Sequence, residues 1–253
     1  MSVRTVAVTQ DDPFFTGRFF ETFLDAAGPA GVDVVQVVLL PNFNEPRIAL
    51  ARRLAGFYPP ADLARLAARY VRARVGRHAG VERIAAAHGV PARRLASVND
   101  AGFHHWLREQ RIDVLLSVAA PEIFRAATLR AVPHVLNVHN GRLPTYRGMM
   151  PTFWALLEGA DEVVVTVHAM AERLDAGPVL AEYPVAVGPR DSAFDVAVAA
   201  KAVAGRAVAE LLSTLRSDAW PAAREVDVAA GRYHPFPSRR DAARLRAAGR
   251  RLL

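Results

Sequence analysis

Cysteine is absent from the 253 residues, and Lys201 is the only lysine. Without cysteine there is no disulfide framework, no thiolate zinc site and no cysteine nucleophile. Because lysine is nearly absent, the net charge of +7 is almost wholly carried by arginine. A basic chain invites a nucleic-acid reading. Yet arginine and alanine recur along the whole sequence, and arginines gather only around residues 69–77 and 239–251. A coding bias and solvated faces account for them better than a polyanion site does. Long apolar runs are missing too. Met1-Ser2-Val3-Arg4 leads straight into Val6-Ala7-Val8 without an apolar core of signal-peptide length. No apolar run approaches the roughly 20 residues of a membrane span. Both absences point to a cytoplasmic protein. The sequence holds no HExxH, no GxSxG and no phosphate-cradling P-loop. The first strand-like run leads into Gln10-Asp11-Asp12-Pro13-Phe14-Phe15 rather than a glycine-rich turn, which argues against a dinucleotide site.

What is present is enough for a real core, since 52% of the residues are hydrophobic. Thr5–Thr9 and Val32–Leu40 read as buried strands, the second nearly unbroken in aliphatic residues, as in a sheet covered on both faces. Asp12-Pro13 reads as a helix start, and Phe15, Phe19, Phe20, Phe23 and Leu24 then repeat at helical spacing. Residues 48–89 read as helices interrupted at Tyr58-Pro59-Pro60. Leu95–Val98 is expected as a short strand, Gly102–Gln110 as a helix and Ile112–Val118 as a central strand. Pro121 is expected to open a short helix, and Val135–Val138 to form the next strand. Beyond it, Pro151–Glu158 reads as a helix and Val163–His168 and Val179–Val187 as strands. Ser192–Leu215 reads as a long amphipathic helix and Val226–Tyr233 as a hairpin strand. A capping box at Ser238 opens a final basic helix. The alternation predicts a Rossmann-like, doubly wound, mostly parallel α/β sheet. It divides the chain into a domain of residues 1–215 and a short extension of residues 216–253.

In such a fold ligands bind beyond the carboxyl ends of the strands, which is where Asn137-Val138-His139-Asn140-Gly141-Arg142-Leu143-Pro144-Thr145-Tyr146-Arg147-Gly148 begins. Asn137 and His139, two apart on an extended segment, point to one side. Asp175, in Leu174-Asp175-Ala176-Gly177-Pro178, is the carboxylate expected to hold His139 in its charged form. Together the three groups suit acyl transfer to an amine without a covalent nucleophile. The bland alternative is a buried His–Asp pair that merely holds a loop. The coincidence of strand end, spaced amide and acid-bearing loop favours chemistry over it. His168 closes a strand and either lines the site or bonds a loop carbonyl. Arg142, Tyr146 and Arg147 either grip an anionic substrate or tie the loop down. His104-His105 is adjacent rather than at ligand spacing, and no metal site is expected.

These residues resemble the folate-dependent formyltransferase family, whose pattern is Asn-x-His near Leu-Pro-x-(Tyr/His)-Arg-Gly, then Thr-x-His before a (Leu/Ile)-Asp-x-Gly loop. Here they are Asn137, His139, Thr166-Val167-His168 and Asp175, and Trp154-Ala155-Leu156 with Gly159 matches the family's Trp-Ala helix. The match covers about residues 112–187. The resemblance implies formyl transfer from 10-formyltetrahydrofolate to an amine, with catalytic Asn137, His139 and Asp175. It implies a folate pocket walled by Leu116, Ser117, Val118, Ala119, Pro121 and Ile123 on one side and by His168, Met170 and Leu174 on the other. It further suggests Asn140, Arg142, Tyr146, Arg147, Gln10 and Asp11 as acceptor contacts, no metal, and a homodimer as one assembly. Asn140-Gly141 stands where many members have Pro-Ser, as in some sugar-nucleotide N-formyltransferases. The glycine-rich phosphate loop of glycinamide ribonucleotide enzymes is missing, and the chain is too short for the full barrel of initiator-tRNA formyltransferases. The expected acceptor is therefore a small primary amine: an amino sugar, free or nucleotide-linked, or an amino acid. The tail Gly231–Pro237 resembles the end of formyltransferase-like proteins and is expected to shape the acceptor site. Two alternatives stay open: a 10-formyltetrahydrofolate hydrolase releasing formate, and a non-catalytic anion- or nucleic-acid-binding module.

Overall fold

The unbroken aliphatic runs of the sequence become the middle of a seven-stranded sheet in a computed structural model of the chain. The structure describes residues 2–12, 14–41, 47–75, 80–215 and 222–253. Strands β1 (Val3–Gln10), β2 (Val32–Leu40), β3 (Ala92–Arg94), β4 (Val114–Val118) and β5 (His134–His139) pair in parallel. Strand β7 (Glu162–Ala169) runs antiparallel to β5, and β8 (Val179–Ala186) antiparallel to β7. The order β3-β2-β1-β4-β5-β7-β8 reverses direction between β1 and β4, the doubly wound arrangement expected from the sequence. Alternate residues of each strand feed two cores. Ala7, Leu116, Leu136 and Val165 join one cluster, and Val8, Leu115 and Val135 the other.

The first cluster is covered by α1 (Thr16–Ala27), α4 (Val81–Ala87), α7 (Pro151–Leu157) and α8 (Ala193–Thr214), and the second by α5 (Ala101–Glu109). Helix α8 opens on a complete capping box at Ser192, which satisfies two otherwise orphan amides. It crosses α1 so closely that a Cβ on Gly205 would lie 2.1 Å from Thr22 Oγ1 and 2.5 Å from the Phe19 carbonyl oxygen. Lys201, one turn before, is buried beside the Asp12 charge. Burial pulls its ammonium down to about 8 against the opposing pull of Asp12. Helices α2 (Arg47–Phe57), α3 (Pro60–Val75) and α6 (Ala126–Leu129) lie on the surface, with only Phe57 of α2 and Thr128 of α6 buried among their described side chains. No helix among the described residues is long and apolar enough to cross a membrane.

Four local expectations are corrected. Helix α1 starts at Thr16 rather than Pro13, which lies outside the described residues; Asp12 Oδ1 instead accepts the amides of Phe14 and Phe15, both at 2.7 Å. Strand β3 is Ala92–Arg94, not Leu95–Val98. Past Leu95 the chain is held by the Glu122 carboxylate, which accepts from Ser97 Oγ at 2.6 Å, the Val98 amide at 2.9 Å and Asn99 Nδ2 at 2.8 Å. The same cross-link abolishes the helix expected at Pro121. Asn99 takes the Arg125 amide and gives to the Ile123 carbonyl, so that only Ala126–Leu129 coils as α6. The tail forms no hairpin. A 3-10 turn at Val228–Ala230 leads into β9 (Arg232–His234), which pairs in parallel with β6 (Tyr146–Gly148) far upstream. The boundary expected at residue 216 lies outside the described residues. Beyond it, α9 (Arg239–Ala247) carries the expected capping box at Ser238, and Ala242, Leu245 and Leu252 join the main core.

Gly205→Ala is expected to destabilise the fold by about 1–3 kcal/mol through overpacking, while Gly28→Ala, which meets nothing within 4 Å, stays within about 0.5 kcal/mol of wild type. Urea unfolding of both variants checks this, and equal stability would mean that α1 and α8 do not cross so tightly.

Candidate active site

The site forms where β5 ends. Asn137 and His139 alternate onto one face of the sheet, and antiparallel pairing sets His168 of β7 opposite Asn137 and Thr166 opposite His139. On the other flank, parallel pairing sets Ser117 of β4 beside Asn137. Amide, imidazole and hydroxyl groups from three strands thus share one patch, a consequence of the period-two side-chain alternation.

Hydrogen bonds fix the state of His168. Its Nδ1 lies 2.9 Å from the Ala169 carbonyl, which can only accept, so Nδ1 carries the proton. Its Nε2, 3.2 Å from Asn137 Nδ2, accepts the amide hydrogen. Burial, reinforced by the neighbouring His139, pushes its pKa down to about 4, so the ring is neutral near pH 7. Its Nε2 lies 3.8 Å from Asp175 Oδ1, but a neutral ring presenting a lone pair forms no ion pair there.

His139 is wired differently. Its Nε2 lies 2.6 Å from the Tyr146 carbonyl and so bears a hydrogen, and its Nδ1 lies 3.8 Å from Asp175 Oδ1. Both side chains are almost sealed from solvent, at 7% and 6% exposure. The other Asp175 oxygen accepts the Gly148 amide at 2.9 Å. Asp175 itself stands at φ +49°, a left-handed conformation that Asp tolerates better than most residues. Asn137 keeps one amide hydrogen beyond the one given to His168.

The other expected contacts are dispersed. Arg147 is buried and its guanidinium donates to the Leu174 carbonyl at 2.8 Å, tying the acid-bearing loop to β6. Arg142 is half exposed between Glu162, at 3.4 Å, and Glu182, at 3.6 Å. The Tyr146 hydroxyl donates to Glu158 at 2.8 Å, and burial together with that carboxylate raises it to about 12. Asn140 Oδ1 is buried with no hydrogen-bond partner, in a small recess shared with Gly141, Arg142 and Glu162. Gln10 ends β1 and Asp11 follows it, and β4 separates β1 from β5; Asp11 lies 3.8 Å from Arg94. Leu116, Ser117 and Val118 are buried in β4, whereas Ala119 and Pro121 are partly open and Ile123 is exposed. Met170 is partly open and hydrogen bonds to the Val135 carbonyl, and Leu174 is exposed. Of the predicted histidine pair, His104 is buried and hydrogen-bonded to Val98 and Thr128, while His105 pairs with Glu109 on the surface.

Two features escaped the sequence reading. One is the lock of Asn137 by a neutral His168, for which the only signal is the Thr-x-His pattern. The other is the main chain of β6, which serves both His139 and Asp175.

Fold and site together define a Rossmann-like α/β enzyme with an amide–imidazole–carboxylate centre at the carboxyl edge of its sheet. Residues 14–212 match the formyl transferase family model, and the chain belongs to that family. Methionyl-tRNA formyltransferase of Anaeromyxobacter dehalogenans is 36% identical over 136 residues, which cover 53% of this chain and 44% of that protein. The chain therefore aligns with less than half the length of the curated relatives it matches. Glycinamide ribonucleotide transformylase 1 from Symbiobacterium toebii superposes with a TM-score of 0.63 at 18% identity, over 89% of this chain and 95% of that one. A Shewanella sugar N-formyltransferase superposes with a TM-score of 0.56 at 16% identity, over 92% and 77%. At such identities the structural likeness speaks for the fold.

The His168 environment generates a pH prediction. Between about pH 6.5 and pH 4 the unfolded chain protonates this residue while the folded one does not. Stability therefore falls as pH drops through that window, by roughly 3 kcal/mol at most from this group. His168→Gln, which keeps an acceptor for Asn137, is expected to flatten the fall. Urea midpoints at pH 7 and pH 4.5 for the two proteins measure the difference, and parallel pH slopes would contradict it.

Proposed function

We propose that this chain is an N-formyltransferase that moves a formyl group from 10-formyltetrahydrofolate to the primary amine of a small substrate, an amino sugar (free or nucleotide-linked) or an amino acid. The observation that carries this reading is the convergence of Asn137, His139 and Asp175 at one strand end, in a chain of the formyl transferase family. The surroundings suit a folate. Ile123 and Leu174, large apolar side chains 66% and 45% exposed, stand on the two loops assigned as its walls. Ala120 and Met170, from the same two loops, pack on one hydrophobic cluster. Leu116, Ser117, Val118, Ala119, Pro121 and Ile123 would hold the donor from the β4 side, largely through backbone, and His168, Met170 and Leu174 from the other. The bound donor supplies the formyl carbonyl.

The protein's own groups do the rest. The free Asn137 amide hydrogen and a proton on His139 Nδ1 are the two donors for the oxygen that becomes negative as the amine adds to the formyl carbon. In this mechanism His139 acts with Nε2–H bound to the Tyr146 carbonyl and a second hydrogen on Nδ1, beside the Asp175 carboxylate. Asp175 also accepts the proton that the attacking amine sheds and passes it toward the departing nitrogen of the donor. A neutral His168 keeps the Asn137 amide turned the right way and leaves the acid's charge to His139. Each oxyanion donor of this type contributes roughly 3 kcal/mol in acyl-transfer enzymes. Asn140, Arg142, Tyr146, Arg147, Gln10 and Asp11 remain the residues proposed for the acceptor side, with Asn140's unpartnered oxygen the most direct candidate.

The test is turnover of 10-formyltetrahydrofolate against a panel of amino sugars, sugar nucleotides and amino acids, with formylated product read by mass spectrometry. Asp175→Asn is expected to lower kcat by about 10²–10⁴-fold with an unchanged circular dichroism spectrum. Wild-type rates in that folded variant would remove the role given to the carboxylate. Formate release independent of every amine would replace transfer by hydrolysis.

A further inference from the structure

The tail of the chain reaches the site through β6. Three consecutive residues of that strand touch the catalytic loops. The Tyr146 carbonyl receives His139 Nε2 at 2.6 Å, the Arg147 guanidinium holds the Leu174 carbonyl at 2.8 Å, and the Gly148 amide donates to Asp175 Oδ2 at 2.9 Å. The separation of His139 and Asp175 is therefore set by where β6 lies. A three-residue strand has little stability of its own, and the partner strand of β6 is β9 from the tail. The register is Tyr146 to Arg232, Arg147 to Tyr233 and Gly148 to His234, extended by the Met149 amide bonding the His234 carbonyl at 2.8 Å.

That partner is itself well anchored. Trp154 Nε1 donates to the Pro235 carbonyl at 3.1 Å, and the buried His234 ring lies 4.9 Å from the Trp154 ring. Phe236 packs against Phe57 at 5.5 Å under the Arg53 guanidinium. No side chain fits between tail and site loop. A Cβ on Gly231 would lie 1.9 Å from the Pro144 carbonyl oxygen, and one on Gly148 2.4 Å from the His234 carbonyl oxygen.

We propose that the carboxyl-terminal strand β9, seated by Gly231 and Phe236, is a positioning element for the His139–Asp175 pair. It rests on the formyl-transfer reading only for its kinetic consequence; the geometric link holds for any chemistry at this pair. Neither Gly231 nor Phe236 touches a reacting group, and both act through β6.

The test uses Gly231→Ala, with Phe236→Ala as the second variant should the first not fold. In the ligand-free protein, the ring ¹⁵N resonances of His139 are expected to move in either variant, while those of His88, paired with Asp25 at 3.0 Å on the surface, stay in place. With 10-formyltetrahydrofolate and the panel amine that wild type uses, kcat is expected to fall about 10- to 100-fold with KM for the donor within about two-fold of wild type. Phe236→Leu, which keeps the apolar anchor, restores most of the rate. In an Asp175→Asn background the tail substitution costs less than about two-fold more, since residues acting through one interaction are not additive. Multiplicative losses in both backgrounds, or unmoved His139 resonances in a folded variant, would overturn the proposal. Wild-type activity of Asp175→Asn by itself would instead remove the catalytic role of the carboxylate, and a panel that yields no formylated amine would overturn the formyl-transfer reading; both leave the resonance test of the tail standing.

Discussion

One buried carboxylate between two buried imidazoles is the interaction on which the rest of this structure depends. Asp175 Oδ1 lies 3.8 Å from a nitrogen of each ring. Two cations there would repel each other, and a buried charge without a partner costs several kcal/mol. The structure breaks the symmetry with carbonyl groups. Ala169 fixes the His168 proton on Nδ1, which leaves Nε2 to accept from Asn137. Tyr146 fixes a proton on His139 Nε2, which leaves Nδ1 facing the acid. One imidazole becomes a neutral support for Asn137 and the other turns its Nδ1 to the acid, although the two residues are chemically identical.

The sheet topology makes this possible. Parallel β4 and β5 end at the same edge, and antiparallel β7 brings His168 into register with Asn137 and then runs out toward the acid-bearing loop. A wholly parallel sheet would place the far end of β7 elsewhere. The antiparallel edge of this mostly parallel sheet is thus the feature that lets side chains separated by more than thirty residues, as Asn137 and His168 are, meet without long connections.

Much of this was legible in the sequence, and the failures have a common cause. Strand β2 was read with the bounds it has, because its nine residues are almost all aliphatic and a buried strand is specified by local composition. The capping box predicted at Ser238 is present, readable because it is encoded within four residues, and the structure adds one at Ser192. The errors fall where a distant side chain took over the backbone. Glu122 and Asn99 bind each other's segments and thereby shift β3 and erase a helix turn at Pro121. Likewise the tail reads locally as a hairpin, but its partner is β6, and Trp154 and Pro235 meet across 81 residues of sequence. The same holds for the site. Asn137 and His139 were visible as a spaced pair on a strand, and Asp175 as an acid on a turn. The main-chain groups that orient them carry no sequence signature.

That last point bears on how such a centre tolerates change around it. The Tyr146 and Ala169 carbonyls and the Gly148 amide hold His139, His168 and Asp175, and the Leu174 carbonyl anchors Arg147. A backbone group survives substitution of its own side chain as long as the chain path is kept. The constraint on the surrounding residues is therefore on shape, not on chemistry, and falls hardest where two backbones touch. Gly231 against Pro144 and Gly148 against His234 are such places. A sequence can then drift widely in the flanking helices, α2 and α3 above all, where Phe57 is the only buried side chain among those described, while the few close backbone contacts continue to fix the distance between an imidazole and its acid.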